Sequence, residues 1–352
     1  MRLIRASGVS DAWPEALRLL DACGERQSSR AGDVLVAPWP VVTAYSRPRE
    51  RVLLDEVRDA NPFFHLFEAI WMLAGASDAR WLDRFVRDFS SRFAEDDGTM
   101  HGAYGHRWRR HFDVDQLAVV VDRLRRDPTD RRSVIQMWDP VADLIGPDEE
   151  DVRDFDDPDA AGVRWPTEPR DVPCNQSALP RVVGGALDLT VISRSHDVVW
   201  GLYGANSVHF SVLQEYLAAA IGAEVGSLYF VSNNWHCYES TLDKLRWRAQ
   251  RAGRPLIRDA TEPYPGVAPM VTVPHEFLRD SERWVAAEEP TEHVYANSWF
   301  RTVAMPMWAA HRVWRDGRAD EALRVLDHCA APDWALAARR WIARRADRRA
   351  AA

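Results

Sequence analysis

The chain has 352 residues, of which 46% are hydrophobic and 28% are charged, a composition typical of a globular protein with ample surface to bury. Its net charge of −8 and pI near 5.8 argue against a general nucleic-acid-binding function, although local positive sites for phosphate stay open. No apolar run approaches the roughly 18 residues of a membrane span, and the amino terminus lacks the apolar core of a signal peptide. The four cysteines show no CxxC spacing, which favours a reducing compartment and predicts a cytoplasmic protein.

Apolar spacing along the chain predicts alternating helices and strands, with proline, glycine and polar residues between them. In chain order these are a helix over 11–23, a polar break over 24–32, a strand over 34–45, a helix opened by Asn61 and Pro62, a helical piece over 79–89, a loop over 97–105, a helix over Gln116–Arg126, a strand over 132–138, a strand through 187–191, a helix from Asn206 onward, a strand over 226–231 and helices over 299–349. No internal repeat interrupts this order. The mixture predicts an α+β fold, a sheet with helices packed on it.

Three regions are predicted from these elements. Residues 1–28 form an amino-terminal helical extension, residues 29–298 a central domain, and residues 299–352 a carboxy-terminal helical segment. Within the central domain, residues 146–172 are rich in Asp, Glu and Pro. Such a composition is typical of an exposed, mobile insertion.

A cysteine and an arginine are the first candidates for chemistry. Cys174 follows Pro173, and Arg194 begins the segment Arg-Ser-His-Asp about twenty residues later. A nearby cation lowers the pKa of a cysteine and so activates it as a nucleophile. The alternative for one isolated cysteine is a small hydrophobe packed in the core.

Other polar residues also have a functional and a structural interpretation. Glu68 stands in the otherwise apolar helix FFHLFEAIWML, where an ionised carboxylate is costly to bury. This predicts either a proton-transfer role or an exposed helix face. Asn206 precedes a helix and suits an N-cap or the recognition of a ligand. The adjacent Arg131 and Arg132 suit phosphate binding or a solvated turn.

Several short motifs occur together in one order between Ser29 and Tyr238. They are Ser-Arg-Ala-Gly at 29–32, Glu68 in HLFEAIWMLAG, Gly-Ala-Tyr-Gly at 102–105 with Trp108 and Arg109, Asp-Arg-Arg at 130–132 with Trp138, Pro173 with Cys174, Arg-Ser-His-Asp at 194–197, Gly201 with Asn206, and His-Cys-Tyr at 236–238. In these motifs the chain resembles the thymidylate synthase family, including its pyrimidine-nucleotide hydroxymethylase branch. The resemblance extends over about two-thirds of the chain.

The resemblance implies a reaction at a pyrimidine ring. Cys174 would add to C6 of a pyrimidine deoxyribonucleotide monophosphate, and the resulting enolate would attack through C5 the one-carbon unit of 5,10-methylenetetrahydrofolate. Loss of the C5 proton and of tetrahydrofolate leaves an exocyclic methylene, which hydride converts to methyl and water to hydroxymethyl. The reaction requires no metal, and the sequence shows no credible metal-ligand cluster. It requires neither a nucleic acid nor a membrane.

The resemblance also implies how the phosphate is bound. Arginine contacts to phosphate are strong, and Arg30, Arg131, Arg132 and Arg194 occupy the matching positions, together with Ser195. In the family the adjacent arginine pair reaches into the site of the partner subunit. A homodimer through the sheet, with shared active sites, is therefore implied.

The remaining site residues follow in the same way. Asn206 matches the residue that reads the base, and its amide suits uracil because it can donate to O4 and accept from N3–H. The predicted catalytic residues are Cys174, Glu68, Tyr104 and Asn206, with core packing as the alternative for Tyr104. The predicted substrate-binding residues are Arg30, Arg131, Arg132, Arg194, Ser195, Asp197, Asn206, His236 and Tyr238, of which His236 and Tyr238 match the pair that binds the sugar hydroxyl. His196 and Cys237 are expected to be packing residues.

Three departures distinguish this chain from methylating members of the family. Asn175 stands where they have histidine, Ser90 aligns with a tryptophan that shields the methylene, and the sequence ARRADRRAAA replaces a short apolar tail. All three loosen the exclusion of water from the methylene. We therefore predict a deoxyuridylate 5-hydroxymethylase. The alternatives are a methylating thymidylate synthase, a deoxycytidylate hydroxymethylase (a flipped Asn206 amide would also satisfy cytosine) and a non-enzymatic, nucleotide-binding regulatory protein.

Overall fold

The structure, a computed structural model, describes residues 1–145 and 169–350. The strands are β1 (Arg2–Ala6), β2 (Glu25–Ser29), β3 (Gly32–Val36), β4 (Val41–Tyr45), β5 (Ile135–Gln136), β6 (Asn175–Val183), β7 (Ala186–Asp197) and β8 (Glu224–Tyr238). The helices are α1 (Val9–Cys23), α2 (Pro62–Leu73), α3 (Phe89–Phe93), α4 (Tyr104–Arg109), α5 (Gln116–Arg126), α6 (Ser207–Ile221), α7 (Glu239–Arg251), α8 (Pro274–Ala286), α9 (Met305–Arg315), α10 (Ala319–Val325) and α11 (Pro332–Ala350). Most of the predicted insertion, residues 146–168, lies outside the described residues.

Over the described residues, the strands form one mixed sheet in the order β1-β4-β8-β7-β6-β5. The β1–β4 and β7–β8 pairs are parallel and the other pairs are antiparallel. The central strand β8 is long enough to pair with β4 along its first half and with β3 near its end. The hairpin β2–β3 is thereby placed beside the carboxyl ends of β7 and β8.

One face of the sheet is covered by helices. Leu187, Leu189 and Val191 of β7 are fully buried, whereas the residues between them are half-exposed, as expected for a strand with one covered face. Helix α6 packs on β7 and β8 and is also contacted by α2, α5 and α8. Because it is enclosed by neighbours, α6 is buried on nearly every side. This arrangement confirms the predicted α+β fold with a mixed sheet and packed helices.

The strongly patterned helices begin and end near their predicted positions. The Asn61 side chain accepts a hydrogen bond from the Phe64 amide (3.2 Å) and caps α2, with Pro62 in the first turn. Helix α5 has the predicted bounds, Gln116–Arg126, and is capped by Asp115. These ends are defined by local capping chemistry, which can be recognised in the sequence.

The strand predictions were less accurate. The strand expected over 34–45 is two strands, β3 and β4, because Pro38 and Pro40 lie between them and cannot donate to a sheet. The polar break over 24–32 contains β2, whose exposed residues have no buried face to give a pattern. The strand expected over 132–138 pairs only at Ile135–Gln136, and β6 was not predicted.

The helical expectations near the middle also change in detail. The piece expected over 79–89 is a 3₁₀ turn, Ala79–Arg84, followed by α3. The loop expected over 97–105 ends at Tyr104, where α4 begins. The helix expected from Asn206 onward is α6, and the strand expected over 226–231 is the middle of β8.

The amino-terminal 28 residues are more than a helical extension. They contain α1 together with β1 and most of β2, and β1 pairs with β4 at the edge of the main sheet. At the other end of the chain, α11 packs against α2. Both termini therefore contact the central structure, and the boundaries at residues 29 and 298 stay predictions.

Candidate active site

The backbone around Cys174 is held by the start of the sheet. The Cys174 carbonyl accepts hydrogen bonds from the Arg194 amide (3.0 Å) and from the Ser193 hydroxyl (2.9 Å). The Arg194 guanidinium donates to the carbonyls of Pro173 (2.9 Å) and Val172 (3.0 Å). Arg194 thus clamps the segment that carries the thiol, which is half-buried.

Burial governs the charge of the Cys174 thiol. It raises the pKa of Cys174 to about 11, against the opposing effect of the Arg194 cation, and the charges of Asp171 and Asp197 raise it further. The expectation that Arg194 lowers this pKa below its usual range is therefore wrong for this structure. The guanidinium does act in the predicted direction, but the loss of hydration outweighs it.

A pocket of about 550 Å³ opens beside this segment. Five of the predicted binding residues line it: Arg30, Arg194, Ser195, His236 and Tyr238. Arg30 reaches the pocket from the turn between β2 and β3, and the others come from the carboxyl ends of β7 and β8. Burial raises the pKa of Tyr238, with the charges of Asp197 and Cys174 adding to the rise and Arg30 opposing it. The arginines make the pocket suited to an anion.

Asp197 and His236 are paired across the parallel strands β7 and β8. One Asp197 oxygen accepts from the amides of Val199 (2.7 Å) and Trp200 (2.6 Å), whereas the other is buried without a hydrogen-bond partner among the described residues. Burial raises the pKa of Asp197 and lowers the pKa of His236, and each group's charge opposes the shift of the other. His236 Nδ1 lies 2.8 Å from Asn234 Oδ1.

Asn206 lies at the junction of a π-helical segment, Val198–Asn206, and α6. It is buried, has helical backbone angles (φ −66°, ψ −36°), and its side chain makes no capping hydrogen bond. The N-cap interpretation is therefore wrong. A Cβ at Gly201 would lie 3.4 Å from Asn206 Nδ2, an ordinary van der Waals distance, so the two residues are close neighbours.

Glu68 is buried, so the exposed-face interpretation is also wrong. Its Oε2 lies 2.9 Å from Nε2 of His209, and the two side chains are 7% and 2% exposed. Neither atom has an aligned hydrogen-bond partner among the described residues. The sequence interpretation did not select His209, although it lies three residues after Asn206 and so shares its helical face.

Tyr104 is brought to the site by a close helix crossing. A Cβ on Gly105 would lie 1.8 Å from the Met72 carbonyl, so only glycine lets α4 approach α2 this closely. The Tyr104 hydroxyl accepts a long hydrogen bond, 3.4 Å, from the Asn175 amide. Burial raises the pKa of Tyr104, and the charges of Cys174 and Asp171 raise it further, so the phenol is neutral beside the thiol.

His196 has more than a packing role. Its Nδ1 lies 2.7 Å from the Ser232 hydroxyl and its Nε2 lies 2.8 Å from Asn175 Oδ1. Burial lowers the pKa of His196 to about 3, so the ring is neutral. The three side chains form a hydrogen-bonded chain from β8 through β7 to the residue after Cys174. Cys237, in contrast, is a buried core residue, as expected.

Arg131 and Arg132 do not line the pocket of their own chain. Both are exposed, and Arg132 Nε donates to Asp130 (3.1 Å), which also accepts from Arg123 and Ser133. These hydrogen bonds lower the pKa of Asp130. Within a single chain, the pocket is lined by Arg30, Arg194, Ser195, His236 and Tyr238 but not by this arginine pair.

Asp171 was also missed by the sequence interpretation. It precedes Cys174 by three residues, and burial raises the pKa of its carboxyl to about 6, with the charges of Glu68 and Glu95 adding to the rise. Its backbone and side chain lie against Gly102, where a Cβ would come within 2.9 Å. The available signal was that Asp171 lies three residues before Cys174. Asp171 ends a segment rich in acidic residues, however, and such residues are normally solvated.

Comparisons with known proteins agree with this geometry. A sequence model described as thymidylate synthase matches residues 58–259. The deoxyuridylate hydroxymethyltransferase of Pseudomonas phage M6 is 41% identical over 98% of this chain and 95% of its own length. That of Bacillus phage SP01 is 31% identical, over 56% of this chain and 49% of its own length. The crystal structure of thymidylate synthase from T4 phage is similar in fold, with a TM-score of 0.56 and 18% identity over 78% of this chain and 90% of that one.

The family model and the relatives define the class of this protein as a one-carbon transferase. The chain belongs to the thymidylate synthase family, as its resemblance predicted. Across residues 1–145 and 169–350, no helix is long and apolar enough to cross a membrane. Within the same residues, no group of three or more His, Cys, Asp or Glu side chains is placed to hold a metal ion.

Proposed function

We propose that this protein is a deoxyuridylate 5-hydroxymethyltransferase. The observation that carries the proposal is the arginine-lined pocket next to Cys174, in a chain 41% identical over nearly its whole length to a deoxyuridylate hydroxymethyltransferase. Arg194 lines the pocket and also donates to the carbonyl of Pro173, the residue before Cys174, so a phosphate-binding site and a nucleophile lie close together. Those are the two parts that a C5 reaction on a nucleotide requires.

The binding roles follow from the positions of the side chains. Arg30, Arg194 and Ser195 would hold the phosphate, and the paired His236 and Tyr238 would meet the sugar hydroxyl. The rings of His236 and Tyr238 lie 5.4 Å apart at 87°, and both residues line the pocket. Asn206 is left free of a capping bond and would read the edge of the base.

The raised pKa of Cys174 determines when the thiol loses its proton. Because burial holds the thiol protonated, its proton must leave as sulfur adds to C6 of the ring. The charges of Asp171 and Asp197 also keep the thiol protonated, and the Arg194 cation opposes them. The neutral phenol of Tyr104 is suited to hold a water at the reacting carbon.

We infer 5,10-methylenetetrahydrofolate as the one-carbon donor. Trp200, three residues after Asp197, is 56% exposed and carries the Arg58 guanidinium 4.5 Å from its ring centroid. An exposed indole close in sequence to Asp197 fits a planar conjugated molecule, and Trp200 would hold it by stacking. When bound, the cofactor supplies a carbon at the oxidation level of formaldehyde.

The surroundings of the predicted methylene site favour water over hydride. Ser90 donates to Asp83 through both its hydroxyl (2.5 Å) and its amide (2.9 Å), so a polar hydrogen-bonded pair stands where an aromatic shield is expected in methylating relatives. Asn175, in place of histidine, is held by His196. Polar groups at these positions can retain a water, which hydroxymethylation consumes.

Product analysis tests the proposal. Purified protein is incubated with deoxyuridylate and methylenetetrahydrofolate, and the nucleotide is examined by mass spectrometry. Gain of CH₂O without oxidised folate is the expected result, whereas gain of CH₂ together with dihydrofolate would refute hydroxymethylation. Deoxycytidylate in a parallel reaction tests the choice of base.

A pair of cysteine variants tests the covalent step. Cys174→Ser is expected to lower turnover by at least about 10³-fold, because a hydroxyl is a far weaker nucleophile than a thiolate. The matched control is Cys23→Ser, since Cys23 lies on α1 and donates only to the Leu19 carbonyl (3.0 Å). Turnover surviving in Cys174→Ser, with Cys23→Ser unchanged, would refute the covalent mechanism.

We also infer a cytoplasmic location. The four cysteines, Cys23, Cys174, Cys237 and Cys329, are all free thiols in the structure. Free thiols persist in a reducing compartment. Cell fractionation of an expressing host tests the inference.

A further inference from the structure

The contact between Glu68 and His209 is a pair of buried polar atoms without other partners. Glu68 Oε2 and His209 Nε2 are 2.9 Å apart, but the approach lacks the alignment of a hydrogen bond. Among the described residues, neither atom has a hydrogen-bond partner, and His209 Nδ1 has none either. Buried polar groups are normally satisfied, so this pair is arranged for a further group, a water or a substrate atom.

The pair is built from two central helices. Glu68 lies on α2 and His209 on the first turn of α6, one helical turn after Asn206. Residues three apart on a helix share a face, so His209 and Asn206 are turned toward the same side of α6. The proposed base-reading residue and the residue that contacts Glu68 are therefore one turn apart on the same side of the helix.

Among the described residues, His209 is in polar contact with the Glu68 carboxylate, and the other titratable groups nearby do not take its place. His65, one turn before Glu68 on α2, is buried, and burial and the charges of Arg58 and His209 lower its pKa to about 3, so it is neutral. Asp171 faces Glu68 from the segment before Cys174, and the like charge of Glu68 adds to the raised pKa of Asp171. Repulsion from Asp171 would displace an untethered Glu68 carboxylate.

We propose that His209 is a positioning residue, which holds the Glu68 carboxylate in place for proton removal from C5 of the nucleotide. The inference rests on the proposed function. Once C5 carries the new carbon, the C5–H bond breaks and its electron pair forms the exocyclic double bond as the amine of the donor leaves. The C5 proton passes to water at Glu68 and from there to the departing amine. A misplaced carboxylate would slow this step and leave binding intact.

Two variants of His209 separate positioning from packing. His209→Gln keeps an N–H near the position of Nε2, whereas His209→Leu keeps the volume and removes every donor. His209→Leu is expected to lower kcat by about 10²-fold with the KM for deoxyuridylate changed less than about threefold. His209→Gln is expected to retain kcat within about tenfold of the unchanged protein. His311→Leu is the control, since His311 is another buried histidine and lies on α9.

A second measurement shows whether the site is intact in each variant. 5-Fluorodeoxyuridylate carries fluorine at C5, which cannot leave as a proton does, so the covalent complex with Cys174 forms and then stops. Both His209 variants are expected to form this complex in the presence of methylenetetrahydrofolate, as detected by the mass of the denatured protein. Their defect then lies after bond formation at C5.

The outcomes distinguish the inference from the function on which it rests. Turnover of His209→Leu equal to that of the unchanged protein would overturn the positioning role, as would His209→Gln no more active than His209→Leu. Loss of the fluorinated complex in His209→Leu would also overturn it, because the residue would then be needed for the site itself. Failure of the unchanged protein to form the complex counts against the proposed function instead.

Discussion

Single side chains near Cys174 show how burial controls charge. The Cys174 thiol and the Asp171 carboxyl both have a raised pKa, and in both the loss of hydration is the largest cause. Arg194 lies close enough to oppose this effect at Cys174, yet two of its donors are used by the carbonyls of Pro173 and Val172. A cation engaged by the backbone anchors the loop, and a bound phosphate would complete its remaining contacts.

The raised pKa of Asp171 predicts how stability depends on pH. Between about pH 4 and pH 6, the folded protein holds a proton on Asp171 that the unfolded chain releases, so this residue makes stability fall as pH rises through that window. Asp171→Asn removes the penalty. The variant is expected to be more stable by about 1–3 kcal/mol at pH 7.5 and equal in stability at pH 4.

Urea unfolding at the two pH values measures this effect. Asp243→Asn, which removes an exposed carboxyl on α7, controls for the change in net charge. If Asp171→Asn is less stable than the unchanged protein at pH 7.5, the carboxylate is stabilised by contacts, and the interpretation from burial is wrong.

At the scale of elements, the carboxy-terminal helix α11 is fixed to the start of α2. Trp341 is 4% exposed, lies edge-on to Phe63 at 5.4 Å and to Trp314 at 4.5 Å, and has the Arg345 guanidinium 3.8 Å above its ring. Asp59 Oδ1 accepts from Arg344 and Arg345. Asp59 is followed closely by α2 and preceded by Arg58, which stacks on Trp200. The end of the chain is thus linked through Asp59 and Arg58 to the segment that carries Trp200.

This packing predicts a large cost for truncating Trp341. Trp341→Ala is expected to destabilise the protein by about 3–5 kcal/mol, because it removes a buried indole from an aromatic cluster. The matched control is Trp247→Ala on α7, where the indole is 58% exposed and the expected change is within about 0.5 kcal/mol. Equal midpoints of urea unfolding for the two variants would show that α11 is not integral to the fold.

At the scale of the whole molecule, the uncovered face of the sheet is suited to a partner. Leu179, Ile192, Tyr229 and Val231 are half-exposed there. The strand registers place Ile192 beside Val231, and Thr190 between Leu179 and Tyr229. We propose that this face joins two copies of the chain in a homodimer. Arg131 and Arg132, which are exposed and away from their own pocket, would then complete the phosphate site of the partner.

Mixing two inactive proteins tests this shared site. The Cys174→Ser variant lacks the nucleophile, and an Arg131→Ala, Arg132→Ala double variant lacks the arginines. If the sites are shared, hybrid dimers regain one intact site, and an equal mixture is expected to reach about a quarter of the unmixed activity, the statistical share after subunit exchange. Light scattering establishes the oligomeric state beforehand. A mixture no more active than its components would show that each chain supplies its own site.

Much of the secondary structure could be predicted from the sequence because it depends on local chemistry. The cap at Asn61, the amphipathic pattern of Gln116–Arg126 and the alternation through Leu187 and Val191 each depend on neighbours along the chain. The ordered motifs around Cys174 and Arg194 were likewise enough to indicate the family, which the comparisons confirmed. Residue type and spacing carry this information because they act over one or two turns of backbone.

The tertiary structure decided what depends on distant residues. Several contacts arise where helices and strands far apart in sequence meet. They include the partner of Glu68, the link from His196 to Asn175 and the uncapped state of Asn206. The direction of the pKa shift at Cys174 was wrong in the sequence interpretation for the same reason. A charge is recognisable from its residue type, but the hydration it loses is set by everything that packs around it.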